Sequence, residues 1–391
     1  MTDATYRGAR RYLPLNRSIV TLALLCASAS VPLYACTTAG GSPSSAAPGA
    51  PSDATVKADP VDASVTPDSA IDADVAITTA TLTSFDPTKG ELPEAISFRD
   101  GAAYVSLVAT GQIAKITYPS LTRSVYAQLP VQPSNYTLGS AFDAAGNLFV
   151  AVAATSPADS LGMAAAGIYR VAALPDGGTT ATLWASSDTG FKFANGLSFD
   201  AAGNLYVTDA AEGAVYKLPA AGALGTATPW KKDAALRGDR DACPATVRPF
   251  AVGANGIVAE TDAVWVANTD NGTLLKIAVA ADGSAGPLTT VAHDCAKLEG
   301  IDGMRPDPRD PTAFLAANNT TPSIVSIRRT GQITTLLSGK PPFHSPTDLV
   351  HVPGTANPTV VLVVNASFDE ALAPPDAGLV PEPSLMKLTL P

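Results

Sequence analysis

The chain has 391 residues and a formal net charge of −10, which excludes a nucleic-acid surface: no Lys/Arg patch of the kind that binds phosphate is visible. Hydrophobic residues at 46% supply a sizeable core, whereas charged residues at 15% are too few for the Lys- and Glu-rich faces of a helical enzyme. With 31 Gly and 33 Pro, the composition favours many turns between many short strands.

In chain order, the first element reads as an export signal. Arg7, Arg10, Arg11 and Arg17 form a basic region, and an apolar stretch runs from Ile19 to about Val31. It ends at Leu33-Tyr34-Ala35-Cys36, which resembles a bacterial lipobox, with an aliphatic residue three before the Cys and a small residue just before it. On this reading residues 1–35 are a lipoprotein signal peptide and the lipid joins the Cys36 thiol. The protein is then exported and anchored in the cell envelope, touching the membrane through the lipid anchor alone. The alternative is an ordinary signal peptide cut near Ala35. Residues 36–76 are mostly Ala, Ser, Pro, Thr, Gly and Asp with no aromatic residue, so they cannot bury enough apolar surface to offset their ordering entropy and read as a tether.

From residue 77 to 391 a repeat takes over. Six segments carry an apolar residue, any residue, Lys, Arg or Ser, and an apolar residue: Ile113–Ile116, Ile168–Val171, Val215–Leu218, Leu274–Ile277, Ile324–Ile327 and Leu385–Leu388. Each follows a strand-like run, centred on Tyr104, Phe149, Tyr206, Trp265, Phe314 and Val361. A period of roughly 45 to 60 residues built only from short strands is the mark of propeller blades, and the apolar residues lack the spacing of helical repeats. The third unit shows the blade most plainly. An inner strand near Asn195 (NGLSFD) leads to a turn at Gly203, then LYVTDA, a turn at Glu212-Gly213, AVYKLPA and an outer strand near ATPWKK. The sixth unit has only three strands before the chain stops, and Ala80–Phe85 (ATLTSF) is a spare strand. The sequence therefore predicts an all-β, six-bladed propeller whose last blade is closed by an N-terminal strand, protecting an edge that would otherwise be open.

The inner strands of blades one, three, four and five begin at Glu94 (PEAISF), Asn195 (ANGLSF), Asn255 (ANGIVA) and Asp302 (IDGMRP). Inner strands line the central channel, so these starts converge at one mouth. Any single Asn-Gly reads as a turn; four oxygen-bearing residues at equivalent positions read as ligands of a hard cation, Ca²⁺ or another divalent ion. At this point the chain resembles the senescence-marker-protein/gluconolactonase superfamily, which includes regucalcin-type lactonases and diisopropyl fluorophosphatase. PEAISF, FANGLSFDAAGNLYVTDA, GANGIVAETDAVWVAN and GIDGMRPDP carry the resemblance. It implies a six-bladed propeller holding a catalytic divalent cation on Glu94, Asn195, Asn255 and Asp302, with Asp302 also acting as base or nucleophile. Phe193 stands where sugar-lactone enzymes tend to carry an Arg, which points to a more apolar lactone or ester.

His344 and His351 flank the inner strand of blade six, and either is a candidate proton shuttle at the mouth. His293 reads as structural, and Asp209 and Glu212 as solvated or turn residues at a blade edge. Cys243 and Cys295 are an even pair in an exported chain and are expected to form a disulfide between two loops beside the mouth. The bond closes a loop of 52 residues, worth about 4 kcal/mol in the chain-entropy model; zinc would need more Cys or His nearby. The expected function is a calcium-dependent hydrolase of small lactones, esters or organophosphates, acting as a monomer. The alternative is a non-catalytic tethered propeller that binds a protein or small ligand through one face.

Overall fold

The computed structural model describes residues 76–391, apart from 132–134, 155–165, 175–176, 187–190, 220–226, 244–249, 356–357 and 374. The lipobox at Cys36 and almost all of the expected tether lie outside the described residues.

Six four-stranded antiparallel sheets form six blades. Their inner strands are Pro93–Arg99, Asn135–Phe142, Ala194–Phe199, Ala254–Ala259, Ile301–Asp307 and Pro346–His351. The sixth blade takes its inner three strands from the C-terminus and its outer strand, Thr78–Ser84, from the first described residues. Thr78–Ser84 pairs with Ser384–Leu390 from Thr78 opposite Thr389 to Ser84 opposite Ser384. Phe85, only 4% exposed, follows the strand into the core between blades six and one, against Ile96, Val105, Leu362 and Leu385. The ring is closed by main-chain pairing between the two ends of the domain.

The sequence repeat has a cross-strand cause. The second strand of each blade sets a large apolar residue directly opposite the polar residue of the third: Tyr104 faces Lys115, Phe149 faces Arg170, Tyr206 faces Lys217 and Trp265 faces Lys276. The Lys115, Lys217 and Lys276 ammonium groups lie 5.7, 5.4 and 5.2 Å from the ring centroids they cover, contacts worth about 0.5–1 kcal/mol each at exposed sites. The stem of each Lys thus shields an aromatic face while its charge stays in water.

In blades five and six the equivalent positions are Leu315, opposite Ser326, and Leu362, opposite Lys387. They lie one residue after the expected centres Phe314 and Val361. Phe314 points instead from the opposite face of the strand toward blade four, its ring 5.1 Å from that of Trp265. The core consists of such seams: Tyr206, Val215, Ile257 and Val266 between blades three and four, and Leu315, Phe343, Val361 and Met386 between blades five and six.

Candidate functional site

Near its start, every inner strand breaks register with its neighbour. The shifts fall between Pro93 and Ile96, Thr137 and Ser140, Ala194 and Leu197, Ala254 and Ile257, Ile301 and Met304, and Pro346 and Asp348. An irregularity of this kind bends a strand and re-aims one side chain. The residues in that position are Glu94, Leu138, Asn195, Asn255, Asp302 and Thr347, in blade order. Glu94, Asn195, Asn255, Asp302 and Thr347 line one small cavity of about 20 Å³, open to solvent, at the channel mouth. Leu138 packs into the seam between blades two and three instead.

The residue after each of these is small in five blades, and in four it is Gly. A Cβ on Gly139, Gly196 or Gly256 would run into the backbone oxygen of Asn195, Asn255 or Asp302 of the next blade. Glycine is required there by close approach of neighbouring strands, so the Asn-Gly and Asp-Gly pairs are not hairpin turns.

In blade six this position is Asp348, which the sequence reading did not single out as a site residue. Its carboxylate occupies the space that a Cβ on Gly303 would need. It accepts from the backbone N–H of Ile96 at 3.0 Å and from Nη2 of Arg305 at 2.7 Å. Burial raises the Asp348 pKa, and the Arg305 guanidinium opposes that shift. Both residues line the cavity.

Removing Arg305 leaves a carboxylate that is 6% exposed without its cation. Loss of one partner from a fully buried pair costs about 3–5 kcal/mol; Arg305 is 25% exposed, which lowers the expectation for Arg305→Met to about 2–3 kcal/mol. Urea unfolding measures it, and adding Asp348→Asn should restore most of the loss. A single variant as stable as the wild type would refute this role for the pair.

The polar groups of the mouth are unevenly satisfied. Asp302 Oδ2 accepts from the Asn319 amide at 2.7 Å. Asn255 donates through Nδ2 to Thr269 Oγ1 at 3.0 Å, and the Thr269 hydroxyl donates to the Ile301 carbonyl. That leaves the amide oxygen of Asn255 for the cavity. Thr208 binds the N–H of Gly196 and the carbonyl of Asn255 and so ties blade three to blade four. Against this order, Glu94 Oε2 and Thr347 Oγ1 are buried and have no hydrogen-bond partner among the described residues. Burial pushes the Glu94 carboxyl well above its ordinary range, and the negative charges of Asp302 and Asp348 push it further. A carboxylate buried beside two others without a proton donor needs either a proton or a cation. The set offers oxygen donors only, which fits a hard divalent ion such as Ca²⁺.

The two histidines do not join this group. His344 lies on the mouth side, but its ring turns away: Nδ1 is 3.2 Å from Glu370 Oε1 and Nε2 is 3.5 Å from Glu382 Oε2, both on the long connection between the second and third strands of blade six. His351 corrects the expectation outright. It is the last residue of its inner strand, four residues beyond Thr347 at the mouth and so about 13 Å away, and Nε2 lies 3.0 Å from the Thr355 carbonyl oxygen.

Asp209 is a second correction. It is wholly buried at the end of the second strand of blade three. It accepts from the N–H groups of Lys192, Phe193 and Glu212 and so clamps the segment that enters the inner strand. Glu212 does lie at a turn, where it pairs with Lys232 and accepts from the Tyr216 hydroxyl. Cys243 and Cys295 form a disulfide, with Cα atoms 5.3 Å apart. It joins the segments that enter blades four and five.

No protein-family model matches the sequence. None of the curated proteins matches it either. Solved structures do. A gluconolactonase from Xanthomonas campestris superposes with a TM-score of 0.53 at 14% identity, over 80% of this chain and 89% of that one. A regucalcin from Agrobacterium tumefaciens, described as a calcium-binding protein, gives 0.53 at 16%, over 76% and 90%. The major allergen Mala s 1 of Malassezia sympodialis gives 0.53 at 15%, over 76% and 93%. At these identities the likeness is one of fold: all of these chains share the propeller.

Proposed function

We propose that the domain is a divalent-cation-dependent hydrolase of small lactones, esters or organophosphates, with Ca²⁺ held by Glu94, Asn195, Asn255 and Asp302. The observation that carries the reading is the buried oxygen of Glu94, without a hydrogen-bond partner among the described residues, in a cavity shared with the Asp302 carboxylate and two amides. Two propellers of the same fold are described as a gluconolactonase and a calcium-binding protein, which supports bringing that chemistry to this cavity. When bound, the ion would polarise a carbonyl or phosphoryl oxygen and stabilise the charge that develops on it.

The chain's own residues do the rest. Glu94 and Asp302 supply two negative charges, and Asn195 and Asn255 add neutral oxygens. Thr269 fixes which end of the Asn255 amide faces inward. Asn319 steadies one oxygen of Asp302, leaving this carboxylate as the base or nucleophile. Arg305 and Asp348 neutralise each other beside the ligands. The same proposal has the protein exported as a lipoprotein through Cys36, with residues 36–76 as its tether.

A second reading, a non-catalytic propeller that binds a ligand at this mouth, is favoured by one observation: among the described residues, no histidine lines the cavity. Metal analysis of the purified domain, paired with a panel of lactones and esters with and without chelator, separates the two. Bound calcium with chelator-sensitive turnover supports the hydrolase. Bound calcium without turnover supports the binding module, and absence of bound metal removes the basis of both the ion and the chemistry.

A further inference from the structure

A second group of donor atoms lies on the rim where blade four meets blade five. His293 ends the outer strand of blade four, Ala285–His293, and pairs with Thr273. Cys295 begins the short helix Cys295–Leu298, which Asp294 caps by accepting from the N–H groups of Ala296 and Lys297. Cys243 comes from the segment ahead of blade four. His293 Nε2 is 3.6 Å from Cys295 Sγ, and the ligand atoms of Cys243, His293 and Cys295 all lie within 4.8 Å of one another. Cys243 is buried, Cys295 half-buried and His293 exposed, so the group opens to solvent on the histidine side.

The framework under these side chains has supports other than the sulfur bridge. The N–H of Asp294 donates to the Gly272 carbonyl. The N–H of Asp239 donates to the Asn271 side chain, and Asn268 and Asn271 hold the Arg237 carbonyl. Both approaches to the disulfide are therefore fastened to the same turn between the second and third strands of blade four.

We infer that this corner is a redox-gated metal site, closed as a disulfide and open, once reduced, as a two-thiolate, one-imidazole site for Zn²⁺. An external dithiol or phosphine supplies the two electrons and is itself oxidised. The S–S bond breaks, and each sulfur takes up one proton. Zn²⁺ then binds both sulfurs as thiolates and releases those two protons, while neutral His293 gives its Nε2 lone pair. Tetrahedral zinc with Zn–S near 2.3 Å and Zn–N near 2.0–2.1 Å needs donor atoms about 3.5–3.8 Å apart. The His293–Cys295 distance already matches, so what remains is for the two sulfurs to separate, with Cys243 kept within ligand range of the imidazole, by side-chain rotation. The fourth position is left to water. Thiolate and imidazole donors select Zn²⁺ over the hard cations that suit the mouth, so the two sites take different ions. The tie between blades four and five would then persist in a reducing medium wherever zinc is available, with a metal in place of the covalent bond.

Cobalt(II) is the probe, because thiolate ligation gives a charge-transfer absorption that an all-oxygen site cannot give. The mature protein is reduced with a phosphine, desalted without oxygen, checked for fold by circular dichroism, and titrated with cobalt and then with zinc in competition. The expected result is one equivalent of cobalt with thiolate charge transfer in the reduced protein, displaced by zinc, and no such band in the oxidised protein. Cys243→Ser should abolish the band, and His293→Ala should weaken zinc binding at least tenfold. Glu94→Gln, which alters only the mouth, should leave the band unchanged. The inference is overturned if the reduced, folded protein gives no band, or if His293→Ala binds zinc as tightly as the wild type. It is equally overturned if reduction unfolds the chain, since the site needs its ligands held in the native frame.

Discussion

Glu94→Gln and Asp302→Asn are each expected to erase most of the difference in melting temperature between calcium and chelator that the wild type shows. A ligand that binds only the native state stabilises it by mass action, by about 2.7 kcal/mol at a hundred times its dissociation constant. In a domain of this size that is a shift of several degrees. Each substitution keeps the side chain's shape and removes one of the two negative charges offered to the ion, so the gap should shrink with little change in packing.

The behaviour in chelator is a separate test. Burial and two neighbouring carboxylates raise the Glu94 pKa in the folded state above its ordinary 4.5. Its contribution to stability is therefore fully present below pH 4.5 and is lost as the pH rises through the raised value. Glu94→Gln has no such loss, so at neutral pH without metal it should melt at or above the wild type, while with calcium it should melt below it. Any lactone or ester turnover should fall with the calcium gap, and Asp282→Asn, on an exposed turn, should preserve both. Equal calcium responses in wild type and Glu94→Gln would remove Glu94 from the ligand set. Thermal scans at two pH values and the hydrolysis panel supply the readings.

The second large effect is expected from removing the strand that closes the ring. Deleting Ile77 to Phe85 strips Ser384–Leu390 of its outer partner and takes Phe85 out of the seam between blades six and one. Loss of a buried Phe side chain alone costs about 3–5 kcal/mol. Seven strand residues add a row of unpaired main-chain groups on a new edge. Together these losses are comparable with the whole stability of a domain, about 5–15 kcal/mol. The expected outcome is loss of the cooperative thermal transition, with aggregation through the exposed edge. A deletion of Thr37 to Ala70, which spares this strand, should keep the transition. Equal melts for the two deletions, followed by calorimetry, would contradict closure by the N-terminal strand.

The architecture was legible because a propeller writes one cross-strand pair into the chain six times, and an aromatic or aliphatic residue opposite a Lys, Arg or Ser survives in the sequence as a spaced motif. The aromatic cue misled by one residue in blade five, where Phe314 faces blade four and Leu315, facing blade six, holds the repeat position. The mouth residues were legible for a related reason. In five blades the residue after the one the irregularity re-aims is small, and in three of them an Asn-Gly or Asp-Gly pair marks the spot.

What escaped the sequence lies off that repeat. Asp348 and Arg305 occupy positions that are small or apolar in most other blades, so only folding brings them together. Asp209 looked like an exposed acid because acids usually are. Its burial depends on backbone N–H groups from residues 192, 193 and 212 converging on one carboxylate, a convergence with no local signature. His351 was misplaced because a strand carries its two ends to opposite faces of the disc, and proximity to PTDLV along the chain says nothing about which face.

The glycines beneath the mouth bear on how this centre can be altered. At Gly139, Gly196 and Gly256 the peptide groups of neighbouring inner strands touch, with no room for a methyl between them. The bore at that depth is therefore set by the thickness of the backbone. The donor atoms just above can be exchanged, carboxylate for amide or amide for hydroxyl, while the aperture keeps its diameter. Ion preference can then drift through single substitutions, but a larger guest can be admitted only from above, by changing the loops that lead in.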